Sequence, residues 1–185
     1  MRHRKNIKSV GLILSLLLFS YHSVFAQVYA VENGKALFNA TMPLNSYTGE
    51  SEVLKGSINF ETGEIDFSLQ VKSIKTGITK RDDDMYELLN IGKYPAITFK
   101  GKLVKKYDPN VKDKQSLQVK GEFTLAGTTR EVMIGVELKP EGTNFRLTSS
   151  WDLLITDYNI KQPKKFFLKV DDKHNLTIDA LLVKK

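Results

Sequence analysis

The chain has 185 residues, a formal net charge of +7, three His and no Cys. The lack of Cys excludes disulfides, a cysteine-linked lipid anchor, a Cys nucleophile and c-type haem attachment. Lys and Arg are interspersed with Asp and Glu, and no basic stripe carries aromatics, so nucleic acid is not an expected partner.

Residues 1–26 have the layout of a cleavable secretory signal. The start MRHRKNIKS is basic, the run over residues 10–19 (VGLILSLLLF) is apolar apart from one Ser, and Val24-Phe25-Ala26 offers a small-residue cleavage site. That run is too short to be an uncleaved anchor, which needs about 20 apolar residues. Export is therefore expected, with residues 27–185 working as one domain outside the cytoplasm. The leader carries 4 of the 28 Lys and Arg and none of the 21 acidic residues, so 24 basic against 21 acidic residues leave +3. It also carries His3 and His22. Only His174 remains, in the turn-like stretch Asp171-Asp172-Lys173-His174-Asn175, where a solvated side chain is expected. A zinc site of His and Cys cannot be assembled, no metal is expected, and a Ser triad would have to use His174.

Beyond the leader the dominant period is two, the signature of strands with one apolar and one wet face. Leu54, Gly56, Ile58 and Phe60 share one phase, followed by Ile65, Phe67, Leu69 and Val71. After a break come Ile97, Phe99, Gly101 and Leu103, then Leu117, Val119, Gly121, Phe123 and Leu125, then Val132, Ile134, Val136 and Leu138. Phe145, Leu147 and Trp151 continue the pattern, as do Leu176, Ile178, Ala180 and Leu182. Turn residues separate the runs at Glu61-Thr62-Gly63-Glu64, Asp108-Pro109-Asn110, Ala126-Gly127-Thr128-Thr129 and Glu141-Gly142-Thr143-Asn144. The short spacings imply antiparallel hairpins, and their apolar faces require either a second sheet or closure into a barrel.

The break, residues 73–95, has helical spacing. Asp82, Asp83 and Asp84 precede Met85, Leu88 and Leu89, which predicts a short helix near residues 82–90, with acidic residues in its first turn and Gly92 and Pro95 ending it. A lid over one end of the β-structure is the expected role. Gly56, Gly101 and Gly121 fall in the apolar phase and signal either free volume or a bend of the wall.

Three blocks, in order, resemble the YceI-like family of bacterial periplasmic proteins. Thr76-Gly77 followed by Arg81-Asp82 and Met85 is the first. Lys93-Tyr94-Pro95-Ala96-Ile97-Thr98-Phe99 is the second, and Gly121-Glu122-Phe123-Thr124-Leu125-Ala126-Gly127-Thr128-Thr129 the third. The resemblance implies an all-β, antiparallel, lipocalin-like barrel of about eight strands that binds polyisoprenoid or other long apolar chains in the periplasm. Two departures stand out. Residues 155–160 (ITDYNI) lack the family's Arg and put Asn159 where its Gly stands, and residues 161–165 (KQPKK) form a basic loop unlike the family's. Asn tolerates the left-handed turn, whereas any role of the missing Arg toward a ligand's polar end does not carry over. The basic loop is expected to be a solvated connection, with docking to anionic head groups as its alternative.

A charged opposite face and the absence of aromatic girdles argue against a lipid-facing barrel, so the apolar face is placed inward. The interior is then formed by Phe38; Leu54, Gly56, Ile58 and Phe60; Phe67 and Leu69; Phe99 and Gly101; Leu117, Val119, Gly121 and Phe123; Ile134 and Val136; Phe145, Leu147 and Trp151; and Ile178. Thr76, Gly77, Arg81, Asp82, Tyr94, Pro95 and Gly127 carry the family motifs. The expected function is non-enzymatic binding, storage or transport of a polyisoprenoid, quinone-like or acyl-chain lipid, with no cofactor beyond a bound isoprenoid or fatty-acyl lipid. The alternative is a ligand-free barrel, filled by its Phe side chains, that serves as an interaction or stress-response module. Catalysis is not expected, because the inward phases offer no carboxylate, and a loop salt bridge accounts for Arg81 and Asp82. Transient membrane contact and a homodimer stay open.

Overall fold

Alternation along a pleated strand gives two faces, and closing the sheet sorts them into an interior and an exterior. The computed structural model describes residues 27–43, 45–165 and 168–185; the leader expected over residues 1–26 lies outside them. The elements are β1 (Val28–Met42), β2 (Asn45–Asn59), β3 (Glu64–Gln70), α1 (Thr79–Leu88), β4 (Ala96–Leu103), β5 (Gln115–Leu125), β6 (Thr128–Glu141), β7 (Asn144–Leu154), β8 (Lys164–Lys165), β9 (Leu168–Lys169) and β10 (Lys173–Lys184). Eight of the strands close into a barrel in the order β1-β10-β7-β6-β5-β4-β3-β2, while β8 and β9 form a separate small hairpin. Every barrel pairing is antiparallel.

The apolar phases point inward as expected. Ile58, Ile65, Phe67, Leu69, Phe99, Val119, Phe123, Ile134, Val136, Leu138, Leu147 and Leu182 are all buried. The opposite phase pairs charges across neighbouring strands, as in Asp66–Lys100 at 3.4 Å and Lys120–Glu131 at 3.0 Å. Such exposed pairs contribute little stability but keep the outer face wet. β1 escapes the period-two pattern for a physical reason. Its register shifts between Val31 and Gly34 and again between Gly34 and Ala36, so the inward set is Tyr29, Val31, Gly34 and then even-numbered residues.

Turn chemistry sits where the residue types place it. Ala126 (φ 49°) and Gly127 (φ 76°) join β5 to β6 as two consecutive left-handed residues, the geometry that suits a two-residue hairpin. The helix differs from expectation. It spans Thr79–Leu88, starts three residues before Asp82, and has Ile78 at its N-cap without a side-chain cap. Asn90, not Gly92, ends it: at φ 50° its N–H donates to the Glu87 carbonyl, while the Ile91 N–H donates to Tyr86, a Schellman closure.

The two ends of the barrel are built differently. At the end holding the β2–β3 and β4–β5 connections, the rings of Tyr29, Phe60, Tyr107 and Phe145 pack edge to face or tilted with centroids 5.0 to 5.2 Å apart. At the other end lie α1, the β5–β6 turn and the long connection from β7 to β10, and between them the barrel is open.

Candidate ligand-binding site

A narrow apolar cavity of about 130 Å³ runs inside the barrel. Of the residues expected there, Phe38, Leu54, Ile58, Phe67, Leu69, Phe99, Val119, Phe123, Ile134, Val136, Leu147, Trp151 and Ile178 line it. Ala36, Gly49, Ile65, Ile74, Ile97 and Leu176 are among the other residues of the wall. No side chain among these titrates. The cavity meets a larger cleft of about 650 Å³ at the open end, and Phe38, Ile74, Ile97 and Leu176 belong to both. Together they match the range of about 300 to 1,000 Å³ typical of small-molecule sites.

Six expected lining residues do something else. Phe60 and Phe145 belong to the aromatic plug, and Leu117 is buried in the core without lining the cavity. Gly56, Gly101 and Gly121 do not create free volume. Gly56 pairs with Phe67 across β2 and β3, and the Phe67 ring occupies the space a Cβ would need. Gly101 and Gly121 face each other across β4 and β5; a Cβ on Gly101 would sit 2.5 Å from the Lys120 carbonyl and 2.9 Å from the Gly121 Cα. Close approach of the Phe67 ring at Gly56 and of backbone at Gly101 and Gly121, not room for ligand, accounts for glycine at these positions.

The cleft is framed by α1 and the β7–β10 connection, with Tyr47, Ile78, Met85, Leu89, Ile155 and Ile160 among its lining. The family-motif residues hold this frame. Asp82 is 6% exposed and accepts hydrogen bonds from the Thr76 N–H (2.8 Å) and the Thr76 hydroxyl (2.6 Å), which ties the loop to the helix. Burial pushes the Asp82 carboxyl up, but these two bonds and the charges of Lys75 and Arg81 outweigh it and hold the group below the ordinary carboxylate range. Gly77 takes φ 78° in the same loop. The Tyr94 ring packs where a Gly127 side chain would be, and the Pro95 carbonyl accepts from Val71 at 2.9 Å. Arg81 makes no salt bridge with Asp82. Its guanidinium instead lies 4.4 Å from the centroid of the Tyr47 ring, at the rim of the cleft.

His174 departs most from expectation. It is the second residue of β10, half-buried, and its ring stacks on Phe38 with centroids 5.9 Å apart and an interplanar angle of 11°. Burial pushes its pKa down, partly opposed by a main-chain bond to Asp171 and by the Asp172 and Asp171 charges. Its Nε2 is shielded from solvent and has no partner, and the same holds for Trp151 Nε1. Only His174's phase with Leu176 and Ile178 hinted at this placement; the polar neighbours in sequence pointed the other way. Asn159 does take the left-handed turn (φ 59°) in place of glycine. Arg130, from β6, donates to the Asp157 carbonyl at 2.8 Å and braces that turn. In the basic loop Lys161 and Lys164 are exposed, and Pro163 and Lys164 border the cleft.

A closed antiparallel barrel of eight strands, plugged at one end and opening through an apolar cleft at the other, defines the class of small barrels that enclose a narrow interior. The YceI-like domain model matches residues 29–182, and the chain belongs to that family. Protein YceI of Salmonella newport is 27% identical over 151 residues, covering 75% of each chain. Protein YceI of Escherichia coli is 26% identical over 170 residues, covering 82% of this chain and 86% of its own. Among solved structures, a polyisoprenoid binding domain from Saccharophagus degradans superposes with a TM-score of 0.72 at 14% identity, covering 86% of this chain and 99% of its own. Burkholderia cenocepacia BcnA gives 0.67 at 14% identity, over 80% and 95%. These likenesses share the barrel.

Proposed function

We propose that this protein is a non-enzymatic carrier or store for a long apolar chain, a polyisoprenoid, quinone-like or acyl lipid, and that it works in the periplasm or outside the cell after removal of residues 1–26. The observation that carries this is the apolar cavity that meets an open cleft at one end and stops at an aromatic plug at the other. An inner cavity of about 130 Å³ resembles the cavity of about 150 Å³ that admits benzene elsewhere. It suits the last unit of a chain, with the remainder in the cleft. Each buried methylene contributes roughly 0.8 kcal/mol, so a chain filling both spaces binds well with few polar contacts. The polyisoprenoid-binding Saccharophagus domain, which shares the fold, supports the choice of ligand class. Export rests on the basic, apolar and small-residue order of the leader.

Organic extraction of purified, detergent-free protein followed by mass spectrometry tests the proposal. A lipid in near-stoichiometric amount is the expected result. Repeated recovery of lipid-free protein that also fails to take up added lipid points to the filled barrel, for which the Phe67, Phe99 and Phe123 side chains are the basis.

A further inference from the structure

The barrel wall balances its facing charges, and the β8–β9 hairpin does not. On the wall Lys102 faces Lys120 across β4 and β5, but each is paired with a carboxylate, Glu64 at 3.5 Å and Glu131 at 3.0 Å. In the hairpin Lys164 faces Lys169. Directly opposed residues of an antiparallel pair share a face with Cβ atoms about 5 Å apart, and like charges there repel. Lys164, Lys169 and the neighbouring Lys161 are exposed, and among the described residues none of the three makes a salt bridge. No Asp or Glu occurs in residues 158–170. Three exposed cations without a carboxylate among them suit an anionic partner.

The hairpin is fixed at the open end of the barrel. Ile160 and Val170, on either side of it, are buried and line the cleft. The Val170 N–H donates to the Pro163 carbonyl at 2.9 Å, and the Gln162 side-chain amide donates to the Val170 carbonyl at 3.1 Å. The Asp171 N–H donates to the carbonyl of Thr41, near the end of β1, at 2.8 Å. Pro163 and Lys164 themselves lie on the cleft wall, beside the opening an apolar chain must pass. The opposite lip, α1, has the reverse character: Asp83, Asp84 and Glu87 are exposed there, and Asp84 holds Lys80.

Resting on the lipid-carrier function above, we propose that the β8–β9 hairpin and its approach, through Lys161, Lys164 and Lys169, dock the open end onto an anionic phospholipid surface, with the α1 lip turned away. Head-group phosphates supply the charge that this segment lacks, and the same bilayer holds the apolar chains that the cleft takes. Docking there lets a chain move between bilayer and barrel without exposing its methylenes to water.

The test is co-sedimentation of the purified protein with vesicles of phosphatidylcholine alone and of phosphatidylcholine mixed equally with phosphatidylglycerol. Binding to the mixed vesicles only, weakening as salt is raised, is the expected result. Each Lys near an anionic surface is worth about a fivefold change in binding, so Lys161→Gln, Lys164→Gln and Lys169→Gln combined should weaken it about a hundredfold. Lys105→Gln, Lys106→Gln and Lys112→Gln combined, an equal loss of charge in the β4–β5 connection at the other end, should have little effect, as should Lys80→Gln on the acidic lip. Equal losses from the two triple variants, or from Lys80→Gln and Lys164→Gln, overturn the assignment. Failure to bind the mixed vesicles also overturns it and leaves the hairpin to an acidic protein. Lipid extraction reads the carrier function separately: lipid-bearing protein that ignores the mixed vesicles overturns docking alone, and protein that binds them through the hairpin but takes up no lipid overturns the carrier function alone.

Discussion

The closed and open ends of the barrel use similar side chains to opposite effect. At the closed end Tyr29, Phe60, Tyr107 and Phe145 meet ring to ring and pack against one another. At the open end Phe38 and Tyr47 also pack edge to face, at 6.0 Å, but His174 and Arg81 cover their free faces, and a cleft remains between β1 and α1. Rings that satisfy one another close a barrel; rings that stack on polar groups line a doorway. The direction of entry follows from this asymmetry.

The comparison breaks most sharply at the plug. Phe60→Ala is expected to lower unfolding free energy by about 3–5 kcal/mol, read from urea denaturation, and to open a second entrance; a loss below about 1 kcal/mol would show that the plug contributes little. Along the wall, Gly101→Ala should cost about 1–3 kcal/mol, because the new Cβ runs into the Lys120 carbonyl and the Gly121 backbone. Gly135→Ala, where nothing lies within 4 Å, is the control and should be close to neutral; equal effects would return Gly101 to the free-volume explanation. At the doorway, Asp82→Ala leaves the Thr76 N–H unpaired and is expected to cost about 1–3 kcal/mol, with the segment around Thr76 losing protection from hydrogen exchange before the barrel does.

Smaller effects come from pH. The Asp82 carboxyl lies below its ordinary value, so its contribution is complete above pH about 4 and disappears as pH falls through the lowered value. Asp82→Asn should flatten that acid limb. His174 works in the other sense: its pKa is depressed, so as pH drops below about 6.5 the unfolded chain takes the proton first and the native state loses stability until His174 itself protonates. Asp171 and Asp172 face the ring and limit the size of this slope, and Arg81, Lys80, Asp84 and Lys164 share the cleft. A stability profile between pH 7 and 5 that is unchanged in His174→Phe would remove His174 as its source.

Much of the barrel is legible in residue order because side-chain alternation is a local property. Phe67 and Leu69, or Val119 and Phe123, must share a face whatever surrounds them. β1 was hidden because register shifts around Gly34 scramble its alternation, and a shift is decided by the strands on either side. The helix forms with Asp82 in its first turn as the acidic run implies, but it starts at Thr79, ahead of that run, and the Asp82 carboxylate accepts from Thr76 instead of capping the helix end. The placement of His174 is not legible in the sequence because Asp171, Asp172 and Lys173 resemble a turn, although β10 begins at Lys173. The role of the glycines was ambiguous for the same kind of reason: an absent side chain says nothing about what fills its place.

Residue order alone determined the antiparallel strands, the inward apolar face and the family blocks, since each depends on spacing along the chain. Tertiary structure decided which end holds the aromatic cluster, how much of the interior the Phe rings consume, and that His174 stacks on Phe38 beside the cleft. Those features depend on residues distant in sequence, such as Tyr29 against Phe145 and Phe38 against His174, whose meeting is set by closure of the barrel.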